Sequence, residues 1–240
     1  MRGILMMYSP GPLHFEVLSE DRSGGIILKT VIEKVIAAQT DAPFTVSVRP
    51  HRGKGRMLTE SEAIPPPLFS SGLRELLPAK LKAYDRVFAG RRIILVIVMD
   101  SDDSIPQVLY RQLEDLSTQY APSLVTVIGI CVEEIESWLL GDEDAVTGAY
   151  GQAERSVIRS YSQDSVCGTW EVLARAILKD RAENLIRIGY PAVGQYKGEW
   201  ASRIAPFLDP SRNRSPSFIR FRKILLKKTL ALLEKAKNGV

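Results

Sequence analysis

The strongest constraint on the fold is an uninterrupted apolar run, Ile93 to Met99, that leads directly into a group of acidic residues. Seven consecutive apolar residues, most of them β-branched, are typical of a strand that is covered on both faces of a parallel sheet. Three acids, Asp100, Asp102 and Asp103, follow at its carboxyl end, which is where open α/β sheets bind their ligands. The run therefore predicts an α/β fold with a functional site at this edge of the sheet.

Asp100 and Asp102 are two residues apart, so their side chains would project to the same side of an extended backbone. Two carboxylates placed in this way can hold Mg²⁺ or Mn²⁺. The same Asp-Ser-Asp-Asp segment also suits a solvated turn that caps the next helix, because Ser and Asp are favoured at helix N-termini. The motif by itself leaves both interpretations open.

Predicted strands and helices alternate through residue 140. The strands are predicted at 14–19, 44–48, 92–99 and 124–132, and the helices at 26–39, 73–88 and 107–120. This order predicts a mostly parallel sheet with helices on both faces. Residues beyond 142 are predicted to be helical, including a segment at 199–207. We therefore expect a poorly structured extension at 1–13, an α/β domain at 14–141 and a helical C-terminal subdomain at 142–240 that packs on it.

Composition and charge narrow the class of protein. The chain of 240 residues is 45% hydrophobic and 25% charged, which is ordinary for a globular protein, and its net charge of +4 allows an anionic partner. Its two cysteines, Cys131 and Cys167, fit a reducing cytoplasm. No apolar run has transmembrane length and the start lacks a signal-peptide pattern. We predict a cytoplasmic protein without membrane contact, and a homo-oligomer is compatible with this composition.

Acidic residues follow three of the predicted strands: Glu20 the first, Asp100 and Asp102 the third, and Glu133, Glu134 and Glu136 the fourth. In a parallel sheet these strand ends share one edge, so the acids could converge there. Converging carboxylates repel one another unless they are protonated or bridged by a cation, and a divalent metal adds Lewis acidity for phosphoryl transfer. The alternatives are ordinary solvated acids, with Glu133 and Glu134 in the first turn of the next helix.

Basic residues are candidates for contacts with phosphate groups. A loop with two glycines carries Arg49, Arg52, Lys54 and Arg56. Arg220 lies in the basic stretch at the start of the last predicted helix, and Lys197 follows Tyr196 in a segment that could lie beside the site. An ordinary basic surface loop and a solvated helix face explain the same residues equally simply.

Several short motifs resemble a known family when they are taken in order. They are VLSED at 17–21, RGKG at 52–55, VMDSD at 98–102, VEEIESWLL at 132–140 and SPSF at 215–218. Together they resemble a Toprim-like bacterial family of unknown function, related to nucleases of phage-defence systems, over most of residues 14–230. The resemblance implies a Toprim/Rossmann-like sheet and cleavage of DNA or RNA. It also implies that the residues holding Mg²⁺ (or Mn²⁺) and catalysing cleavage are Glu20, Asp100, Asp102 and Glu136.

The resemblance also implies a partner and an alternative function. Relatives are encoded beside an ATPase, and the chain has no Walker-type loop of its own, so a separately encoded ATPase is the expected partner. In the commoner Toprim form a glycine follows the glutamate, whereas Asp21 stands here. Asp21 would either add an outer ligand or distort the turn. The alternative function is a catalytically inactive Toprim-shaped binding subunit of an ATPase-containing complex.

Overall fold

The computed structural model describes residues 11–237 and contains a four-stranded, entirely parallel sheet. The strands are β1 (Leu13–Ser19), β2 (Phe44–Pro50), β3 (Ile93–Asp100) and β4 (Val125–Cys131), in the spatial order β2-β1-β3-β4. The predicted α/β class with a parallel sheet is confirmed. Of the extension predicted at 1–13, residues 1–10 lie outside the described residues, and β1 begins at Leu13.

Eleven α-helices lie within the described residues. They are α1 (Arg22–Ala37), α2 (Glu60–Ala63), α3 (Leu73–Phe88), α4 (Pro106–Tyr120), α5 (Glu136–Leu140), α6 (Glu143–Ala149), α7 (Arg155–Ser160), α8 (Thr169–Leu178), α9 (Ala182–Ile188), α10 (Ala192–Ile204) and α11 (Pro216–Lys237). Two 3-10 helices, Lys179–Arg181 and Ala205–Phe207, complete the set. The regular structure described after β4 is helical, as predicted. No helix within residues 11–237 combines the length and apolar character needed to cross a membrane.

Alternate residues of β3 pack into two different cores, which explains the uninterrupted apolar run. Ile94, Val96 and Val98 face the core formed with α1 and the C-terminal helices. Leu95, Ile97 and Met99 face a second core formed with α3 and α4. All of these side chains are buried, so both faces of the sheet are covered by helices, as the absence of polar alternation predicted.

Helix α11 covers the β4 edge of the sheet. A Cβ atom on Gly129 of β4 would lie 2.8 Å from Cδ2 of Phe221, so only glycine allows this close approach of the helix. Trp138 of α5 stacks on Phe221, with ring centroids 5.1 Å apart, and meets Phe218 edge-on at 5.3 Å. These aromatic contacts hold the C-terminal helices against the sheet.

The bounds of two predicted helices are wrong. Helix α1 begins at Arg22, four residues before the predicted start, because Asp21 caps the helix. Helix α3 has the predicted bounds, with Pro78 inside it. The helix predicted at 199–207 begins at Ala192 and ends at Ile204. The start of α10 matters for the site, because it places Lys197 in the middle of a helix.

Candidate functional site

Glu20 and Asp100 meet at the carboxyl edge of the sheet, as the strand order predicts. Glu20 directly follows β1, Asp100 ends β3, and these two strands are neighbours. The Glu20 Oε1 atom accepts a hydrogen bond of 3.1 Å from the Asp100 backbone N–H. Two acids that are far apart in the chain therefore share one corner, where both side chains are half-buried.

Asp102 lines the cleft beside this corner, but its backbone conformation is not the one expected. Strand β3 ends at Asp100, and Asp102 has a φ of 44°, so the extended-backbone argument for the Asp100–Asp102 pair is wrong. The turn is held instead by the segment that follows β4: the Asp102 N–H donates to the Glu133 carbonyl at 2.9 Å. The exposed Asp102 carboxylate forms an ion pair with Lys54 of the basic loop.

Asp21 serves as the N-cap of α1. Its carboxylate accepts hydrogen bonds from the Gly24 N–H at 2.7 Å and from the Ser23 hydroxyl at 2.6 Å. A Cβ atom on Gly25 would lie 2.9 Å from Val48 Cγ1, so glycine lets this first turn sit close to β2. Asp21 therefore supports the turn after Glu20, and its carboxylate oxygens are engaged by the helix.

Replacing Asp21 with alanine is expected to lower the free energy of unfolding by about 1 kcal/mol, because loss of the capping carboxylate leaves the Gly24 N–H unsatisfied. Asp21→Ser, which keeps a capping oxygen, is expected to retain most of that stability. Urea denaturation followed by circular dichroism measures both values. Equal stability of Asp21→Ala and the natural protein would contradict the capping role.

Lys197 is a buried cation behind the acidic corner. Its Nζ atom lies 2.9 Å from Glu134 Oε1 and 3.1 Å from Glu136 Oε2. Burial lowers the pKa of Lys197, but the charges of Glu136 and Glu134 outweigh burial and raise the pKa above its ordinary value. The ammonium group therefore stays charged at neutral pH and neutralises part of the acidic cluster.

The pKa values of three carboxyl groups show that they resist ionising together. Removal from solvent raises the pKa of Glu20 to about 7, with Lys54 opposing the shift and Asp102 adding to it. Burial raises the pKa of Glu136 to about 7 against the effect of Lys197. The pKa of Asp100 is raised well above its usual value by burial and then by the charges of Glu20 and Glu136. A further cation beside Glu20 and Asp100 would relieve this repulsion.

An open cleft of about 1030 Å³ lies between the acidic corner and α10. It is lined by Glu20, Asp21, Asp100, Asp102 and Glu134 at the sheet edge, by Gln195 and Lys197 of α10, and by Tyr190 just before that helix. Glu136 is 1% exposed and lies behind this lining, so the acid at the cleft surface after β4 is Glu134. The sequence signal for Glu134 was only its place in the Glu-Glu-Ile-Glu segment.

The carboxylates at this corner are suitable ligands for Mg²⁺ or Mn²⁺, but they are not arranged as a complete metal site. Carboxylate oxygens are the ligands that these ions prefer, and Glu20 and Asp100 lie side by side. Within residues 11–237, however, no group of three or more His, Cys, Asp and Glu side chains is arranged to hold a metal ion. Lys54 holds Asp102 and Lys197 holds Glu136, so two of the four predicted ligands are engaged by lysines.

The predicted phosphate-binding residues divide into two groups. Lys197 lines the cleft, Lys54 reaches it through Asp102, and Arg52 is exposed on the adjoining loop. The others are engaged elsewhere. Arg49 Nε lies 2.9 Å from Glu16 Oε1, Arg56 forms two hydrogen bonds with Glu62, and Arg220 lies over the Tyr110 ring at 5.0 Å.

Near the site, the structure adds Arg74, which sequence analysis did not single out, and assigns a different role to Glu133. Arg74, in the first turn of α3, is close enough for the charges of Glu20 and Asp102 to act on its pKa, which removal from solvent lowers overall. The carboxylate of Glu133 caps α8, accepting hydrogen bonds of 2.8 Å from the N–H groups of Gly168 and Thr169. Glu133 therefore stabilises the start of α8 and not the start of α5, the helix that follows it in the chain.

Comparisons of the chain with protein-family models, with curated proteins and with solved structures gave no match. The Toprim-like resemblance stays a prediction that rests on the order of short sequence motifs.

Proposed function

We propose that this protein is a Toprim-type, metal-dependent nuclease that cleaves phosphodiester bonds of DNA or RNA. The proposal depends chiefly on one observation, the meeting of Glu20 and Asp100 at the carboxyl edge of adjacent parallel strands, 3.1 Å apart from side-chain oxygen to backbone nitrogen. The open cleft beside them and the cations Lys54, Arg74 and Lys197 suit a polyanionic substrate.

Mg²⁺ or Mn²⁺ would be held by Glu20 and Asp100, joined by Asp102 once Lys54 releases it. A metal in this position supplies Lewis acidity to a phosphoryl group and lowers the pKa of a bound water. Lys197 supplies a permanent positive charge at the cleft wall, and it keeps Glu134 and Glu136 from adding uncompensated negative charge. Arg52 and Lys54 are the residues of the basic loop best placed to contact substrate phosphates.

The decisive experiment is cleavage of labelled single-stranded and duplex DNA and RNA with Mg²⁺ or Mn²⁺. The double variant Asp100→Ala plus Asp102→Ala is expected to lose at least about 100-fold in cleavage rate, because two metal ligands are removed. A matched control is Asp41→Ala plus Asp115→Ala, which removes two exposed aspartates away from the cleft and should leave the rate unchanged. Undiminished cleavage by the Asp100→Ala plus Asp102→Ala variant, or cleavage by the natural protein in EDTA, would contradict the proposal.

A second candidate function is a catalytically inactive, Toprim-shaped binding subunit of an ATPase-containing complex. Two observations favour this function. Lysines form ion pairs with Asp102 and Glu136, and within residues 11–237 no group of three or more His, Cys, Asp and Glu side chains is arranged to hold a metal ion. Nucleic acid binding that is equally strong in EDTA and Mg²⁺, without cleavage, would support this function over the nuclease. For either function, a bacterial phage-defence or toxin-like setting and a separately encoded ATPase are part of the proposal that rests on the sequence resemblance.

A further inference from the structure

A turn between α2 and α3 presents two large apolar side chains to solvent. Leu68 is 89% exposed and Phe69 is 92% exposed. The Ser70 N–H donates to the Pro67 carbonyl at 3.0 Å, so Leu68 and Phe69 are the two central residues of the turn. Three consecutive prolines at 65–67 restrict the backbone that leads into it. Two adjacent large apolar side chains held out into water in this way are available for contact with a partner.

The turn is tied to the basic loop that borders the candidate site. The Arg52 N–H donates to the Ser71 carbonyl at 3.2 Å, and the Leu73 N–H donates to the Gly53 carbonyl at 3.0 Å. The two segments touch so closely that a Cβ atom on Gly72 would lie 2.4 Å from Gly55 Cα. The base of the turn is therefore joined to the loop by backbone contacts.

The same loop is joined to the acidic corner. The Gly53 N–H donates to the Glu20 carbonyl at 2.9 Å, and Gly53 lines the cleft. Leu73 is bonded to Gly53, and the four residues from Leu73 back to Phe69 span at most about 14 Å. A nucleic acid strand of a few nucleotides can therefore reach from Phe69 to the acids.

The surroundings of the turn identify the kind of partner. Arg52, whose backbone is bonded to Ser71, is exposed, and Lys54 and Arg74 lie near the acids. An exposed aromatic ring and nearby cations together suit a nucleic acid strand. One base would stack on the Phe69 ring while the phosphate groups contact the basic side chains. Two side chains offer far less than the area of about 800 Å² that each partner buries in a standard protein interface.

We propose that Phe69 stacks on an unpaired base of a nucleic acid strand that runs along the basic loop toward Glu20 and Asp100. This inference rests on the proposed function and names its substrate class as single-stranded nucleic acid, or a duplex with an unpaired segment. A paired base inside a duplex has its faces covered by its neighbours, so Phe69 discriminates between the two forms.

Binding of a fluorescein-labelled single-stranded oligonucleotide, measured by fluorescence anisotropy in EDTA, tests the inference without cleavage. Phe69→Ala is expected to weaken binding by about 5- to 150-fold, the effect of losing one base stack, and to change duplex binding little. Phe69→Trp should retain affinity, with its fluorescence quenched by the bound strand. Phe69→Leu should bind nearly as weakly as Phe69→Ala. The control is Val87→Ala, which removes an exposed side chain (57%) near the other end of α3.

The outcomes separate this inference from the proposed function. Equal single-strand affinity of Phe69→Ala and the natural protein overturns the stacking role alone. Full affinity of Phe69→Leu also overturns it, because an apolar contact without an aromatic ring would then be enough for binding. A natural protein that binds neither form in EDTA overturns the stacking role, and one that also cleaves neither form with Mg²⁺ or Mn²⁺ overturns both proposals. Phe69-dependent binding of single strands without cleavage in Mg²⁺ or Mn²⁺ supports the stacking role and overturns the nuclease.

Discussion

Replacing Lys197 with methionine is expected to lower the free energy of unfolding at pH 8 by about 3–5 kcal/mol. The substitution keeps most of the length of the side chain but removes the charge, which leaves Glu134 and Glu136 without their shared buried cation. Breaking a buried ion pair by removing one partner costs this much because the remaining charge stays desolvated. Urea denaturation followed by circular dichroism gives the value directly.

Two controls isolate the buried pair. Adding Glu136→Gln to Lys197→Met should restore part of the lost stability, because one of the two uncompensated carboxylates is then neutral. Lys29→Met removes an exposed lysine whose ion pair with Glu33 has an N–O distance of 4.0 Å, and it should change the free energy of unfolding by less than about 0.5 kcal/mol. If Lys197→Met is as stable as Lys29→Met, the buried lysine does not stabilise the acidic cluster.

Stability without divalent metal is expected to fall as the pH rises from about 4.5 to above 7. The pKa values of Glu20 and Glu136 are raised from 4.5 to about 7 in the folded protein. The folded state therefore holds these protons more tightly than the unfolded chain does. Their stabilising effect is complete below pH 4.5 and is lost as the pH passes 7, at a cost of about 3 kcal/mol for one such group. Thermal unfolding across this pH range measures the loss.

Glu20→Gln should flatten part of this pH profile and should raise the melting temperature at pH 8 above that of the natural protein, because the repulsion with Asp100 is gone. Mn²⁺ should stabilise the natural protein at pH 8 by about 2.7 kcal/mol at one hundred times its dissociation constant, and should stabilise Glu20→Gln less. Asp115→Asn, an exposed change, should leave the profile as it is. A natural protein whose stability rises between pH 5 and 8 without metal would contradict the raised pKa values of Glu20 and Glu136.

The parts of the site that depend on local pattern could be predicted. The apolar run of β3 identified a doubly covered strand, since burial on both faces removes polar alternation. The strand–helix alternation implied parallel neighbours, and this brought Glu20 and Asp100 to one edge. A signal for the start of α1 was also present, because Asp is a preferred N-cap and Asp21 precedes the helix directly.

The parts that depend on distant packing could not be predicted. Asp102 was expected on an extended backbone, but a left-handed turn held by Glu133 redirects it toward Lys54. Glu136 was expected among the cleft ligands, but α5 buries it against Lys197. The contact of Glu136 depends on the docking of α10, which carries Lys197, and the turn at Asp102 depends on the segment after β4. No local periodicity encodes either contact.

The sequence by itself determined the parallel α/β architecture and the edge at which Glu20 and Asp100 meet. Apolar runs indicate buried strands, and the alternation of strands and helices indicates parallel neighbours, and both are local patterns. Only the tertiary structure decided which charges are paired and which face the cleft. Ion pairs such as Lys197 with Glu134 form between segments far apart in the chain, so their existence depends on distances that arise when the helices dock. The exposure of Phe69 was decided in the same way, by the absence of a covering segment within residues 11–237.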